Sequence, residues 1–317
     1  MNTMNAVVTR SYGGAEVLTW SRTEKPPISP RQILVRVRAS SVNPVDWKVR
    51  QGDVRIFSGL RPPLVLGADL AGEIVEVGAK VTDYAVGDQV YGMVRAFKGG
   101  AYAEYVAVTP ENIAPLPSGL SFSEAACLPL VSLTIHQMLY SRAKLAAGQH
   151  VLVNGCCGGI GHIAVQMAKA LGAEVTGVCS TRNLTVAKAL GADNVIDYTQ
   201  QNLLATQQTY DLFFDAAANQ HFGAVRHLLR SKGIYISPIP SVANMIFSPI
   251  ANKFRQQKNS YLWVEPDAEA LRTITALVES GNLRPLIDRS YPIKQISDAH
   301  RYSESGRVVG KVALTFD

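Results

Sequence analysis

Two hydrophobic patterns follow one another along the chain. Between residue 5 and about residue 120, short runs alternate apolar with polar positions and are separated by Gly, Pro and Asp, as in "ILVRVRAS" (33–40), "AGEIVEVG" (71–78) and "AYAEYVAV" (101–108). Such alternation is typical of strands with one buried face. Short strands with turn residues between them favour a small barrel, so the pattern predicts a β-barrel domain over residues 1–120.

From about residue 121, apolar runs of strand length alternate with helical patterns. The run "HVLVNG" (150–155) is followed by apolar residues at helical spacing on one face, namely Ile160, Ile163, Ala164, Met167, Ala168 and Leu171. Further strands are predicted at 174–180, 211–217, 233–239 and 261–264, and a further helix at 183–192. Strands alternating with helices indicate a doubly wound parallel sheet over residues 121–265.

The remaining residues, 266–317, contain one helical pattern (267–282) and one strand-like end, "VVGKVALTF" (308–316). We expect them to return to the barrel and complete it. The chain is therefore predicted to be an α/β protein of two domains, the first of which is interrupted in sequence by the second.

The composition agrees with a folded, soluble protein. The chain has 317 residues, of which 47% are hydrophobic and 18% charged, which is far from the composition of disordered segments. No apolar run approaches the roughly 18 residues that span a bilayer, and the first residues lack the order of a signal peptide. We therefore expect a cytoplasmic protein without a membrane partner. The net charge of +6 is dispersed, without a basic block or an aromatic stripe, which argues against nucleic acid as a partner.

The four cysteines are Cys127, Cys156, Cys157 and Cys179. They contain no Cys-x-x-Cys pair, and no histidine lies at the spacing of a zinc site. A disulfide framework is not expected in a cytosolic chain of this size. The sequence therefore predicts no metal site.

The stretch "VLVNGCCGGIG" (151–161) combines a strand, a glycine-rich turn and the start of a helix. Unpaired amides and the dipole of a helix start favour an anion, so the stretch predicts a pyrophosphate site that includes Ile160. Gly155 is expected to form the turn, while Gly158, Gly159 and Gly161 let backbone and phosphate approach. The spacing is one residue longer than the common G-x-G-x-x-G pattern, and a purely structural turn is the alternative. Cys156 and Cys157 are interpreted as small side chains beside the phosphates, with a redox pair as the alternative.

The choice of nucleotide depends on the end of the second strand of this domain. NAD sites usually carry an acid there, which binds the ribose 2′-hydroxyl. This chain has "CSTRN" (179–183) instead, with no acid. Ser180, Thr181 and Arg182 can donate charge-assisted hydrogen bonds to a 2′-phosphate, so the sequence predicts NADP(H). The alternative for Arg182 is a solvated surface charge.

The whole chain resembles the zinc-free quinone oxidoreductase and enone reductase branch of the medium-chain dehydrogenase/reductases. The stretches that carry the resemblance are "SVNPVDWKVRQG" (41–52), "GADLAGEIVEVG" (67–78), "LPLVSLTIHQML" (128–139), the glycine turn, "CSTRN" and "GADNVIDYT" (191–199). The resemblance implies a GroES-like catalytic barrel and a Rossmann domain, with catalysis between them.

The resemblance also assigns three cofactor-binding residues outside the glycine turn. It places Tyr198 near the adenosine phosphate, with a half-buried strand-end aromatic as the alternative. Thr134 would reach the cofactor, or would only start a helix. Lys311 would lie close to the cofactor, or would be a solvated strand lysine.

Zinc-dependent relatives carry Gly-His-Glu where this chain has Gly67, Ala68 and Asp69, and a metal-binding Cys where it has Asn43. Without the imidazole and the thiolate, the three-ligand catalytic zinc site cannot assemble. The four-cysteine structural lobe of those relatives is missing as well. The resemblance therefore implies an enzyme that works without zinc.

The catalytic residues are predicted in "NPVDWK" (43–48). Asn43 would offer its amide to the cofactor ribose or the substrate, Lys48 would donate to the substrate oxygen, and Asp46 would hold Lys48 or the loop. The alternatives are turn capping for Asn43 and Asp46 and an exposed charge for Lys48. Some quinone reductases of the family carry Tyr at the position of Lys48, so the donor is not uniform in the family.

The predicted activity is NADPH-dependent hydride transfer to a quinone or an α,β-unsaturated carbonyl compound. Two alternatives remain open at this point, a carbonyl or alcohol reductase of the same fold and a non-enzymatic NADPH-binding redox sensor or structural protein. An apolar edge strand around "NSYLWVEP" (259–266) and the resemblance both predict a homodimer.

Overall fold

The computed structural model describes residues 3–238, 248, 250–261 and 263–316. In chain order its strands are β1 (Thr3–Thr9), β2 (Leu18–Glu24), β3 (Ile33–Val42), β4 (Leu64–Val65), β5 (Asp69–Val77), β6 (Gln89–Met93), β7 (Tyr105–Val108), β8 (Ile113–Pro115), β9 (His150–Asn154), β10 (Glu174–Cys179), β11 (Asn194–Asp197), β12 (Tyr210–Asp215), β13 (Leu229–Ser237), β14 (Lys258–Tyr261), β15 (Ile287–Pro292) and β16 (Lys311–Thr315).

The helices, again in chain order, are α1 (Pro44–Gln51), α2 (Arg55–Ser58), α3 (Phe122–Ala126), α4 (Pro129–His136), α5 (Gly161–Ala170), α6 (Leu184–Ala189), α7 (Phe222–Val225), α8 (Ala268–Glu279) and α9 (Ile296–Glu304). A π-helical segment, Gln137–Ala143, follows α4 directly. Among the described residues, no helix combines the length and the apolar character needed to cross a bilayer.

The chain divides into two compact units. The barrel unit comprises Met1–Leu133, Val264–Gly281 and Pro285–Asp317, and the Rossmann unit comprises Thr134–Trp263 and Asn282–Arg284. The return of the last residues to the barrel unit agrees with the expectation from sequence. The first division falls after Leu133 rather than after residue 120, because α3 packs against β3 and β5 of the barrel unit.

Two sheets form the barrel unit. One has the order β15-β16-β3-β5-β6-β8 with β7 on the edge of β3, and the other has the order β2-β1-β4. Every pair is antiparallel except β15 with β16. Strand β3 alternates between buried and exposed positions, as the sequence pattern predicts. Val35 and Val37 enter the core, while Arg36 between them is exposed.

The Rossmann unit contains one six-stranded sheet in which every pair is parallel. Its order, β11-β10-β9-β12-β13-β14, is the 3-2-1-4-5-6 order of dinucleotide-binding sheets, and it reverses between β9 and β12. Leu152, Val178 and Phe213 of neighbouring strands share one core cluster. The α/β fold predicted from sequence, a barrel plus a doubly wound parallel sheet, is confirmed.

The last strand of this sheet lies earlier than predicted. We expected the apolar residues 261–264, but β14 runs over Lys258–Tyr261 and is mostly polar. Its register is set by parallel pairing with β13, in which Ile234 lies opposite Lys258. Ile239 and Leu262, which the predicted strands included, lie outside the described residues.

Strand β14 has only one neighbour, β13, among the described residues. An edge of unpaired backbone groups favours pairing with a second copy across a two-fold axis. We therefore predict a homodimer, and light scattering at micromolar concentration should give about twice the chain mass of 34.3 kDa. A monomer at that concentration would contradict this prediction.

Candidate nucleotide site and barrel network

The glycine turn joins β9 to α5 in the Rossmann unit. Gly155 has a φ of +77°, which is a conformation that side-chain-bearing residues rarely adopt. The amides of Gly155 and Cys156 both donate to the carbonyl of Val178, at 3.0 and 3.1 Å. These bonds fix the turn to the neighbouring strand β10. The turn predicted for Gly155 is therefore present in the structure.

The other glycines of the turn differ in what surrounds them. A Cβ on Gly161 would lie 2.1 Å from the carbonyl oxygen of Gly155, so only glycine permits the start of α5 to pack against the turn. A Cβ on Gly158 would meet only that same oxygen, at 3.4 Å. Gly161 therefore permits the close packing of helix and turn, and its part in the approach of phosphate stays a prediction.

The start of α5 provides donors for an anion. Among the described residues, the amides of Gly159, Ile160 and Gly161 have no hydrogen-bond acceptor, and no side chain caps the helix. Free amides at a helix start, together with the helix dipole, suit a pyrophosphate. The residues present therefore fit a dinucleotide at this place.

The end of β10 carries the residues predicted to select the nucleotide. Thr181 and Arg182 are exposed, and Arg182 has neither an ion pair nor a hydrogen bond within the described part of the chain. The amide of Tyr198 donates to the carbonyl of Cys179, which places Tyr198 beside this turn. Its side chain is 60% exposed, so it is not the half-buried aromatic of the alternative interpretation.

A carboxylate lies beside this turn, although the turn itself contains none. Asp197 ends β11 and pairs with Cys179 of β10. The hydroxyl of Thr181 donates to Asp197 Oδ2 at 2.5 Å, and the hydroxyl of Thr199 donates to Oδ1 at 2.7 Å. The expectation that no acid is present was therefore incomplete, because the acid comes from the adjacent strand. Thr181 is therefore already engaged as a donor to Asp197.

A buried network holds the carboxyl ends of β9, β12 and β13 together, and the sequence analysis missed it. Asp215 is fully buried and accepts hydrogen bonds from the side chain of Asn154 at 2.7 Å, the amide of Gln220 at 2.8 Å and the hydroxyl of Tyr235 at 3.0 Å. It lies where the strand order reverses, which is where ligands bind in open α/β sheets. The only sequence signal was a polar residue at the end of each of two apolar strands.

Three of the four cysteines lie together at the glycine turn. Cys156 and Cys157 follow β9, Cys179 ends β10, and their sulfur atoms all lie within 4.8 Å of one another. Spacing along the chain did not predict this group, because its members come from the ends of two different strands. All three thiols are free and buried.

A buried ion pair organises the barrel unit. Lys311 Nζ lies 3.6 Å from Asp69 Oδ2 and also donates to Asn43 Oδ1 and to the carbonyl of Val42 at 3.3 Å. Asp69 additionally accepts from the side chains of Ser41 at 2.6 Å and Asn43 at 2.8 Å. Lys311 is only 3% exposed, so the alternative of a solvated strand lysine is wrong. These residues meet because β3 pairs with both β5 and β16.

Asn43 and Asp46 cap the start of α1. The amide of Asn43 donates to Asp46 Oδ2 at 2.8 Å, and the hydroxyl of Tyr102 donates to the same oxygen at 3.0 Å. Burial outweighs these bonds and, helped by the nearby charge of Asp69, raises the pKa of Asp46 to about 7. The geometry therefore shows the capping role for both residues, while their catalytic roles stay predictions.

Lys48 and Thr134 complete the predicted site residues. Lys48 is half-buried, its Nζ lies 5.6 Å from the centre of the Trp47 ring, and burial lowers its pKa. It does not contact Asp46 in the described structure, although the sequence interpretation allowed such a contact. Thr134 is buried in α4, at the start of the Rossmann unit.

Known proteins match this chain over nearly its full length. Residues 29–118 match the family model of the alcohol dehydrogenase GroES-like domain, and residues 190–314 match that of zinc-binding dehydrogenases. The chloroplast envelope quinone oxidoreductase homolog of Arabidopsis thaliana is 33% identical, with 98% of each chain covered. The chain belongs to the quinone oxidoreductase and enone reductase branch of the medium-chain dehydrogenase/reductases. It is an oxidoreductase with a nicotinamide cofactor.

Two further comparisons extend the family assignment. The NADPH-dependent alkenal/one oxidoreductase of Arabidopsis thaliana is 33% identical over 98% of this chain and 79% of its own. The structure of the quinone oxidoreductase from Coxiella burnetii is 31% identical, covers 99% of both chains and superposes with a TM-score of 0.89.

The raised pKa of Asp46 predicts a pH dependence of stability in this medium-chain oxidoreductase. The folded-state pKa of about 7 exceeds the ordinary value of 3.8, so the fold favours the protonated carboxyl. This stabilising contribution is fully present below about pH 3.8. This contribution is lost as the pH rises through the folded-state value. Asp46→Asn keeps an oxygen for the amide of Asn43 and cannot ionise. The unfolding free energy of Asp46→Asn minus that of wild type should rise by up to about 1.4 kcal/mol for each pH unit between about pH 4 and pH 7.

Urea unfolding of both proteins across this pH range measures the difference. The exposed Asp298→Asn serves as a control and should change stability by less than about 0.5 kcal/mol. A difference between Asp46→Asn and wild type that is independent of pH would contradict the prediction.

Proposed function

We propose that this chain uses NADPH to reduce a quinone or an α,β-unsaturated carbonyl compound, without zinc. The observation that carries the proposal is the glycine turn, whose free amides lie at the start of α5 next to the strand that leads into Arg182. The names of the relatives support the substrate class, since one is a quinone oxidoreductase homolog and another an alkenal/one oxidoreductase.

The preference for NADPH over NADH rests on Arg182. Its guanidinium is exposed and has no ion-pair partner among the described residues, so a 2′-phosphate can take that place. Asp197 argues against a preference for NADPH, because its carboxylate lies at the end of the neighbouring strand β11. However, its oxygens already accept hydrogen bonds from the hydroxyls of Thr181 and Thr199. The exposed guanidinium of Arg182 supports the proposed preference for NADPH.

Independence from zinc rests on the barrel network. Asn43 stands where the resemblance places a zinc-binding Cys, and its side-chain oxygen accepts a hydrogen bond from the Lys311 ammonium. Asp69, at the end of the motif that carries the ligands in zinc-dependent relatives, pairs with the same ammonium. The oxygens of Asn43 and Asp69 thus already hold a buried cation, and the sequence has neither Cys at position 43 nor His at position 68 to bind zinc.

Bound NADPH supplies a hydride for the β-carbon of the substrate, and negative charge then develops on the carbonyl oxygen. The chain must orient the substrate and stabilise that oxygen. Lys48 is the proposed donor, because its half-buried ammonium has a lowered pKa and therefore gives up a proton more readily. Asn43 is held rigidly by Lys311 and Asp69, and Asp46 fixes the helix that bears Lys48.

NADPH oxidation with a panel of quinones, enones, alkenals and saturated ketones, in the presence of a chelator, tests the function. We expect turnover of the first three classes and little or none of the saturated ketones. Equal turnover of saturated ketones would favour a carbonyl reductase. No oxidation of bound NADPH by any compound would favour a binding protein without catalysis.

Arg182→Ala should weaken NADPH binding and leave NADH binding nearly unchanged. The loss of one charge-assisted hydrogen bond at about 1.5–3 kcal/mol corresponds to a roughly 10- to 150-fold rise in Kd. Fluorescence titration with both cofactors measures the effect. Lys188→Ala removes an exposed charge from the neighbouring helix α6 and should change neither Kd more than about twofold, well under 1 kcal/mol. Equal affinity of the wild type for NADPH and NADH would refute the proposed preference.

Lys48→Met should lower kcat for enones while the affinity for NADPH hardly changes. It keeps the apolar stem and removes the donor, and loss of one transition-state donor costs about 2.7–4 kcal/mol, or roughly a hundred- to thousandfold in turnover. Quinones should be less affected, because they accept hydride more readily. Steady-state kinetics with one enone and one quinone distinguishes the roles. If both stay within about threefold of wild type, Lys48 takes no part in the mechanism.

A further inference from the structure

Two paired strand ends bring three thiols to one place in the Rossmann unit. Cys156 and Cys157 lie in the glycine turn after β9, and Cys179 is the last residue of the neighbouring strand β10. Each is at most 3% exposed. The sulfur atoms of Cys156 and Cys157 lie 3.7 Å apart, and all three sulfur atoms lie within 4.8 Å of one another. We call these residues the thiol triad.

The three thiols of the triad differ in pKa. The Cys156 thiol donates towards the Cys157 sulfur, which lowers the pKa of Cys157 and raises that of Cys156. Burial raises the pKa of Cys179 to about 12. An ion that binds strongly to sulfur can displace the thiol protons, because such binding couples to deprotonation.

The number of ligands and the charge limit which ion fits. Within the described residues the cluster offers three sulfur atoms and no imidazole or carboxylate. A zinc ion takes four ligands, and with three thiolates it would leave a net negative charge in a buried place. A trivalent ion with three sulfur ligands is electrically neutral, so its burial carries no cost of a net charge. Bonds of about 2.3 Å at the roughly 95–100° angles of a pyramidal three-coordinate ion place sulfur atoms roughly 3.5 Å apart, which is close to the 3.7 Å between the sulfur atoms of Cys156 and Cys157.

We propose that Cys156, Cys157 and Cys179 form a binding site for trivalent arsenic. The reacting species is arsenous acid. Three As–O bonds and three S–H bonds break, three As–S bonds form, and three water molecules leave. Arsenic stays trivalent and sulfur stays at the thiol level, so no oxidant or reductant takes part.

Intact-mass spectrometry of the full chain after incubation with arsenite, without cofactor, tests the site. Binding by three thiols adds one arsenic and removes three hydrogens, whereas binding by two thiols retains one hydroxyl on arsenic and gives a heavier product. We expect the three-thiol mass for wild type and for Cys127→Ser, which removes the buried cysteine of the barrel unit. Cys179→Ser and Cys157→Ser should lose it, and circular dichroism checks that each variant is folded. Cys179→Ala serves if the serine variant does not fold.

An unmodified mass, or only the two-thiol product in wild type, overturns the site.

Discussion

The candidate nucleotide site depends on one constraint, the parallel pairing of β9, β10 and β11. Because the strands are parallel, their carboxyl ends align, and the segments that follow them meet at one edge of the sheet. The glycine turn, the turn around Arg182 and Tyr198 come together only for this reason. The bonds from Gly155 and Cys156 to Val178 fix the first two segments to each other. A shift in register between β9 and β10 would separate the amides of α5 from the cation proposed to select the cofactor.

The barrel unit depends on the buried ion pair between Asp69 and Lys311. Asp69 would be costly to bury alone, and it is stable there because it pairs with Lys311 and accepts hydrogen bonds from Ser41 and Asn43. The same network holds Asn43, from which α1 begins, so the position of Lys48 follows from it. The proposed independence from zinc rests on this ammonium, which pairs with Asp69 and donates to Asn43.

Local patterns were sufficient for much of the fold. The alternation in β3, the apolar run of β9 and the helical spacing in α5 each lie within about a dozen residues, and each predicted its element. The position of β14 could not be obtained in this way, because pairing with β13 decides the register and not the apolar residues nearby. The division after Leu133 similarly depends on the packing of α3 against distant strands.

In the candidate site, too, local patterns predicted only the contiguous parts. The glycine turn and "CSTRN" are contiguous, and sequence reasoning found them. Asp197, Asp215 and Cys179 act through neighbours on other strands, so no spacing along the chain indicated their roles. The burial of Lys311 belongs to this group as well, because its partners lie more than 240 residues earlier in the sequence. The resemblance to a family singled out Lys311 but did not indicate its ion pair with Asp69.

We propose that this chain transfers a hydride to the β-carbon of an activated alkene. NADPH that carries deuterium at C4 tests this transfer directly, with an enone as the acceptor and nuclear magnetic resonance of the product as the measurement. We expect a saturated ketone with deuterium on the carbon β to the carbonyl. Deuterium on the carbonyl carbon, in an allylic alcohol, would contradict it.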